Sequence, residues 1–273
     1  SLLVDGASYL LGGDFTTVAG GARVALARLS TAGALDVAFN PALTGATPSV
    51  HALALDGTNY VLAGSFTTVG GIGRSSLARV LPTTGALEPG LNPGTGPNAV
   101  IRSLVRDSSG RLLVGGDFTT FNGTTLSRFG RLANNGTIDS SFNPGGSGAD
   151  APVHAVGLQP VGAGTHAVVA GDFYTVNNIV VSRLARLNST GTGLDADFNL
   201  SREANGTITG VLRQPDGRLL IIGSFTTYNG VRRNLIARLN ANGTLDGNFD
   251  IGVGPAGTVN SVAVDAATGA VVL

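Results

Sequence analysis

This 273-residue chain contains no cysteine, methionine or tryptophan, and its 17 basic residues are all arginine. Without cysteine there are no disulfides, no thiolate metal sites and no cysteine nucleophile. That absence leaves the compartment open, because many secreted proteins dispense with disulfides. Charge is sparse, at 12% of residues, and the 17 arginines are balanced by 17 acids. A neutral chain has no electrostatic footprint for nucleic acid or anionic lipid, so neither is expected as a partner. No apolar run approaches the ~18 residues of a membrane helix, and membrane insertion is not expected. No signal-peptide pattern opens the sequence. A 3.6-residue apolar stripe long enough for a helix is also missing.

What is abundant is glycine, 42 of 273 residues, beside a 42% apolar content. Disordered chains lack that much material to bury, so the glycines read as tight turns in a folded protein. They recur in a pattern. Gly-Gly-Asp-Phe-Thr-Thr at 12–17 returns around Phe66, Phe118, Phe173 and Phe225, at steps of 51, 52, 55 and 52 residues. A fixed period of roughly 50 residues is the signature of a repeat architecture.

Alignment on these phenylalanines brings further slots into line. Arg28, Arg79, Arg131, Arg186 and Arg238 each stand 13 residues after the Phe, within Leu-Ala-Arg-Leu-like segments. Asp36, Glu88, Asp139, Asp195 and Asp246 follow in Leu-Asp-like pairs. Each repeat reads as four short strands. The first resembles 50–55 and closes at Asp-Gly turns such as Asp56-Gly57. The second is an unbroken apolar run such as 218–223, covered on both faces, whose glycines let a neighbouring layer approach. The third carries the Leu-Ala-Arg-Leu pattern, and the fourth runs from Leu35 to Pro41 or Ile138 to Pro144.

Tandem units of four antiparallel strands predict an all-β chain forming a β-propeller of 51–55-residue blades. A parallel β-helix is the rival, but it has no use for hairpin turns inside each unit. The repeats fall at about 1–50, 51–100, 101–153, 154–208 and 209–259, with 260–273 opening a sixth. The whole of 1–273 thus reads as one propeller region, a segment of a longer repeat protein with its ring size open.

The fifth copy carries the pattern most fully. It runs from Gln214-Pro215-Asp216-Gly217-Arg218 through Gly223-Ser224-Phe225-Thr226-Thr227-Tyr228-Asn229-Gly230, Ile236-Ala237-Arg238-Leu239-Asn240 and Asn242-Gly243-Thr244-Leu245-Asp246 to Phe249. These residues resemble the delta-sixty repeat, a bacterial β-propeller repeat, and the resemblance covers essentially the whole chain. The second and fourth copies drift, with Glu88, Leu91 and Tyr174 as departures. The resemblance implies a module of a large secreted or cell-surface bacterial protein, used in adhesion or scaffolding. It brings no catalytic residues.

Several clusters invite chemistry. The repeated arginines suit either a ring of anion ligands or structural ties to carboxylates and carbonyls. A site for one ligand should break the symmetry, which favours the structural reading. Asp14, Asp117 and Asp172, beside the Phe, lack the closely spaced oxygens of a calcium loop and read as turn or cap acceptors. The phenylalanines read as core. His51 and His154 share a slot with Arg102, Thr209 and Asn260, a variety that suggests a solvent-facing position, and His166 lies in a lengthened hairpin. Asn122, Asn135, Asn188, Asn199, Asn205 and Asn242 match the Asn-x-Ser/Thr pattern but coincide with turns.

Ligand contact is expected where copies differ, on the face shared by the second-to-third-strand loops and the connections between repeats. Candidate ligand residues there are Arg23, Arg74, Arg128, Arg183, Arg232 and Arg233, with the Arg202-Glu203 pair, Tyr174 and Tyr228 nearby; the default is a solvated rim. A surface glycan or another protein is the expected partner, and self-assembly through the repeat ends is a further option. No cofactor, metal or enzymatic activity is expected. Acids outside the repeat slots, chiefly Asp150, Asp197 and Glu203, are too few to suggest a glycosidase pair.

Overall fold

The computed structural model describes residues 1–6, 8–143, 146–198, 203–255, 257, 259–265 and 269–273, and every regular element among them is a strand. The chain divides into two compact units, Ser1–Leu126 with Arg131–Asp139, and Ser127–Gly130 with Ser140–Leu273. The boundary runs through the third copy of the repeat.

In the first unit, Leu2–Val4 pairs antiparallel with Ser8–Gly12, which pairs in turn with Leu26–Ser30. The second copy forms a four-stranded meander of Val50–Asp56, Asn59–Gly64, Leu77–Val80 and Leu87–Glu88. Ile101–Arg106 and Leu112–Gly116 open the third. In the second unit, Val153–Val161, Gly164–Gly171 and Leu184–Leu187 form one sheet. Ile208–Arg213, Leu219–Gly223 and Ile236–Leu239 form the next, followed by the pair Ala263–Val264 and Val271–Val272.

The middle strand of each sheet explains the unbroken apolar runs. Tyr60 and Leu62 pack with Leu10, Leu26 and Phe39 of the copy before. Val61 and Ala63, on the opposite face, pack with Ile101, Leu112, Val114 and Phe118 of the copy after. Leu219 and Ile221 likewise meet Val168, Ala170 and Leu184, while Leu220 and Ile222 turn toward Val259 and Val262. Successive side chains of a strand point to opposite faces, so a strand between two layers must be apolar at every position. Each such buried aliphatic side chain contributes about 1.5–3 kcal/mol.

Four features depart from the sequence reading. The fourth strand does not run from Leu35 to Pro41. It is reduced to two residues in the second copy and to single bridges elsewhere, such as Leu29 with Leu35 and Leu239 with Leu245. The acid that follows turns the chain away: Asp36 Oδ1 accepts from the amides of Ala38 and Phe39, and Asp246 Oδ1 from that of Asn248. This Asx turn competes with the ladder.

A second difference is an extra two-residue hairpin between the second and third strands. Its tip holds two left-handed residues in every copy, as in Asn122-Gly123 (φ 49° and 76°) and Asn229-Gly230 (φ 51° and 75°). That is the type I′ geometry whose twist suits a tight hairpin.

Third, the glycines that end the second strand answer to the first strand of their own sheet, not to a neighbouring layer. The first strand bulges between Val50 and Ala52, Ile101 and Ser103, Val153 and Ala155, and Ile208 and Gly210. The bulge pushes a carbonyl over the partner, so a side chain at Gly64, Gly116, Gly171 or Gly223 would collide with Ser49, Val100, Pro152 or Thr207 O. Fourth, Phe66, Phe118, Phe173 and Phe225 are buried, but Phe15 is only half-buried.

Candidate functional site

The connection entering each copy lies against that copy's small hairpin. Leu43–Thr44 pairs with Thr68–Val69, and single bridges join Pro97 to Phe121, Ala149 to Val176 and Ala204 to Tyr228. Asn98 Oδ1 accepts from the amides of Thr119 and Thr120, Asp150 Oδ1 from Tyr174 and Thr175, and Asn205 Oδ1 from Thr226 and Thr227. The Thr-Thr of the repeat therefore presents its amides to an Asx side chain from the connection. Loops and connections share a face, as the strand order requires.

The six candidate arginines occupy two slots on this face and one tip. Arg23, Arg74 and Arg233 follow the Phe by eight residues, and Arg128 and Arg183 by ten. The second slot is left-handed in all copies, at Ala25, Ser76, Arg128, Arg183 and Leu235. Its strain is held by paired bonds: Leu235 N donates to Phe225 O while Gly223 N donates to Leu235 O.

Most of these guanidinium groups bind their own backbone. Arg23 donates to the carbonyls of Phe39, Asp36 and Val37. Arg128 reaches Ala149 O and Arg183 reaches Ala204 O, both at 2.8 Å. Arg74 and Arg233 are each 8% exposed, so the expected solvated rim is absent at these two positions. Arg232 alone of the six stands exposed at a hairpin. Tyr228 is buried and donates to Gly243 O, a core role in place of the expected loop-face one. Tyr174 is 53% exposed, with the Arg183 guanidinium 4.5 Å from its ring centre. Glu203 lies outside the buried set, while Arg202 and Asn199 fall outside the described residues.

The repeated arginines of the third strand are structural ties. Arg28 bonds to Asp36, Arg79 to Glu88 and Asp56, Arg131 to Asp139, Arg186 to Asp195 and Arg238 to Asp246. The in-register pairs stitch the third strand to the stub of the fourth, and Asp56 ties Arg79 to the end of the first strand as well. The Arg28 hydrogen bond holds the Asp36 carboxyl below its usual range. At Asp246 burial pushes upward, but the Asn248 amide and Arg238 outweigh it, and the carboxyl is again depressed.

Two further pairs escaped the sequence reading. Arg102 grips Asp117 through two bonds of 2.6 and 2.7 Å, and His154 Nε2 lies 2.7 Å from Asp172, which also accepts from Thr207 Oγ1. The acid beside the Phe is thus a cross-strand partner in these copies, not a turn cap. In the second copy, where Ser65 replaces it, Ser49 bridges His51 and Ser65. Burial and the nearby Arg102 push the His51 imidazole down. The sequence signal was partial: an acid stands beside the Phe where the first strand carries Arg102 or His154, but a serine where it carries Thr209 and also where it carries His51. His166 also has a partner, with Nδ1 2.8 Å from Asp195. Among the described residues, no three His, Cys, Asp or Glu side chains gather as metal ligands.

The asparagines of the Asn-x-Thr matches are turn residues. Asn135 and Asn242 accept from the following Thr137 and Thr244, and Asn205 from the hairpin above it.

Antiparallel sheets in tandem, buried face to face with their polar slots tied within each copy, define an all-β tandem-repeat protein of the propeller class. Four segments, 8–39, 108–142, 168–198 and 214–249, match the model of the family described as "Domain of unknown function (DUF5122) beta-propeller". The chain carries a β-propeller domain. The second copy, with its departures Glu88 and Leu91, lies outside the matched segments. No curated protein matches the chain. Among solved structures, the computationally designed Ika8 protein is similar at a TM-score of 0.55 and 12% identity, over 97% of this chain and 77% of that one. That is a likeness of fold alone. A protein of unknown function from Bacteroides caccae aligns at a TM-score of 0.47 and 14% identity, over 88% of this chain and 76% of that one.

Proposed function

We propose that this chain is a non-enzymatic propeller module of a large bacterial secreted or cell-surface protein, built from delta-sixty-type repeats, that serves adhesion or scaffolding through its loop face. The observation that carries this reading is the use made of the repeated charges. Arg28, Arg79, Arg131, Arg186 and Arg238 each bind an acid of their own repeat. Charges tied in this way stabilise a rigid body and leave recognition to the loops, where the copies differ. The test is protease shaving of intact cells that express the full-length gene with an internal tag in this domain. Loss of the tag from the cells supports the reading; a tag protected until lysis overturns it.

A second reading is carbohydrate recognition, favoured by the exposed Tyr174 ring stacked on Arg183. An aromatic face beside a guanidinium suits a sugar ring and its hydroxyls. Selective glycan-array binding that Tyr174→Ala abolishes would support it, and a blank array would leave scaffolding ahead. Subunit-to-subunit assembly into an extracellular filament is the third option, visible by electron microscopy of the purified protein.

A further inference from the structure

Three copies place an arginine at the same point of the small hairpin. Arg23, Arg74 and Arg233 stand there, where the third and fourth copies carry Leu126 and Val181. Their amides continue the hairpin ladder, donating to Thr16, Thr67 and Thr226 O. Their guanidinium groups share an anchor, with Nη1 donating to the carbonyl of the residue before, Ala22, Gly73 or Arg232. They differ at the other edge. In the first copy Nε donates to Phe39 O and Nη2 to Asp36 and Val37 O, so the fork is satisfied by the chain itself.

In the second and fifth copies that edge has no acceptor. Arg74 and Arg233 are each 8% exposed, and Nε of both is buried without a partner. Nη2 finds no acceptor among the described residues either, but it keeps contact with solvent. Arg233 Nη1 lies 3.7 Å from Asp250 Oδ2, on the anchored side. The second copy packs against the first on one face and the third on the other, so the feature at Arg74 belongs to the interior of the repeat array. A buried N–H of a charged group without an acceptor is costly. The Nε–Nη2 edge is also the one that takes a carboxylate through two parallel bonds. Arg102 does so in this chain, holding Asp117 at 2.6 and 2.7 Å.

The same two copies carry a second feature. Two residues before the arginine stand Ile72 and Val231, 53% and 45% exposed, where the first copy has Gly21. Alternate residues of a ladder share a face, so each aliphatic side chain flanks its arginine.

We propose that Arg74 and Arg233 are two equivalent attachment points, one in each compact unit, for the carboxylate of a uronic-acid sugar. Such a sugar carries its carboxylate on a pyranose ring whose C–H face is apolar. The carboxylate oxygens accept from Nε and Nη2, as Asp117 does at Arg102, and the ring covers Ile72 or Val231. Nη2 gives the approach from solvent, and the guanidinium, tied only through Nη1, pivots to present Nε. A glutamate side chain offers the same carboxylate on a flexible stem, without a rigid apolar face beside it. The proposal rests on the carbohydrate reading, but it lies in other copies than the Tyr174–Arg183 pair and fixes the charge of the ligand.

The test titrates trigalacturonate into the protein by calorimetry at low ionic strength. Its methyl ester keeps the rings and caps the carboxylates; triglutamate keeps the carboxylates without the rings. Saturable binding of trigalacturonate at two sites is expected, weakened by salt and lost with the ester. Arg74→Lys keeps the charge and removes the fork, so one of the two sites should weaken about tenfold. In the unaltered protein the proton resonances of the Arg74 and Arg233 Nε–H groups should move downfield on titration. That readout decides the matter even if Arg74→Lys impairs folding. No binding at millimolar trigalacturonate, equal binding of the ester, Nε–H resonances that stay in place, or full affinity at both sites in a stably folded Arg74→Lys protein would each overturn the proposal. Triglutamate binding as tightly as the sugar would overturn it in favour of an acidic peptide. Neutral-glycan binding that Tyr174→Ala abolishes concerns the fourth copy alone, so failure at one site is distinguishable from failure at the other.

Discussion

Phe118 and Phe15 hold the same slot of the repeat but differ in burial, and truncating each separates packing from pattern. Phe118 is 0% exposed and meets Phe121 edge-on, with ring centres 6.4 Å apart at 76°. It packs among Ile101, Leu112, Val114 and Leu132. Phe118→Ala removes the six ring carbons from that cluster. Their transfer to water accounts for about 2–3 kcal/mol. The space left is roughly 100 Å³, and at about 24 cal/mol per Å³, with partial collapse of the site, it adds about 1–2 kcal/mol. The sum, about 3–5 kcal/mol, should lower the melting midpoint by roughly 6–20 °C for a unit of this size. Phe15 is half-buried, and Phe15→Ala should cost about 1–2 kcal/mol on the same reasoning. The chain has no tryptophan, so urea unfolding is best followed by far-ultraviolet circular dichroism. Equal losses for the two variants, or a loss below about 1 kcal/mol for Phe118→Ala, would refute the assignment of this slot to a buried layer whose cost scales with burial.

Gly223→Ala tests the bulge. A methyl there collides with Thr207 O, a backbone atom that cannot swing aside, so a loss of about 1–3 kcal/mol is expected from overpacking, and an unchanged melting temperature would show that the bulge does not dictate the glycine. Acid should weaken the fold through the ion-pair slot. Asp36, Glu88, Asp195 and Asp246 have depressed folded-state values against unfolded values of 3.8 for the aspartates and 4.5 for the glutamate. Their stabilisation is therefore complete above the unfolded values and fades as pH falls through the folded ones. Thermal melts should be flat from neutrality to about pH 5 and decline below about pH 4; a decline that Asp246→Asn leaves unaltered would deny that carboxylate its part.

The repeat was legible in the sequence because its anchors are chemically exacting. A glycine under a bulged carbonyl, a phenylalanine filling the space between layers and an arginine opposite an acid tolerate few replacements, so they recur in register and mark the period. The all-β class followed from the apolar runs, which a strand covered on both faces requires. The arginine–acid ties were also foreseeable, because both partners recur at fixed spacing.

The tertiary structure decided matters that depend on contacts between segments distant in the chain. It shortened the fourth strand, since the aspartate that pairs with arginine also draws the following amides into a turn. It buried Tyr228, three residues after the Phe of the fifth copy, and exposed Tyr174, one residue after the Phe of the fourth. It converted Asp117 and Asp172 from presumed caps into partners of Arg102 and His154 across the sheet. It also turned Gln159 toward Arg186 and the Ala241 carbonyl of the following copy. Local sequence sets which groups a repeat offers; whether each finds its partner depends on the layer that comes to lie beside it, and only folding brings that layer into place.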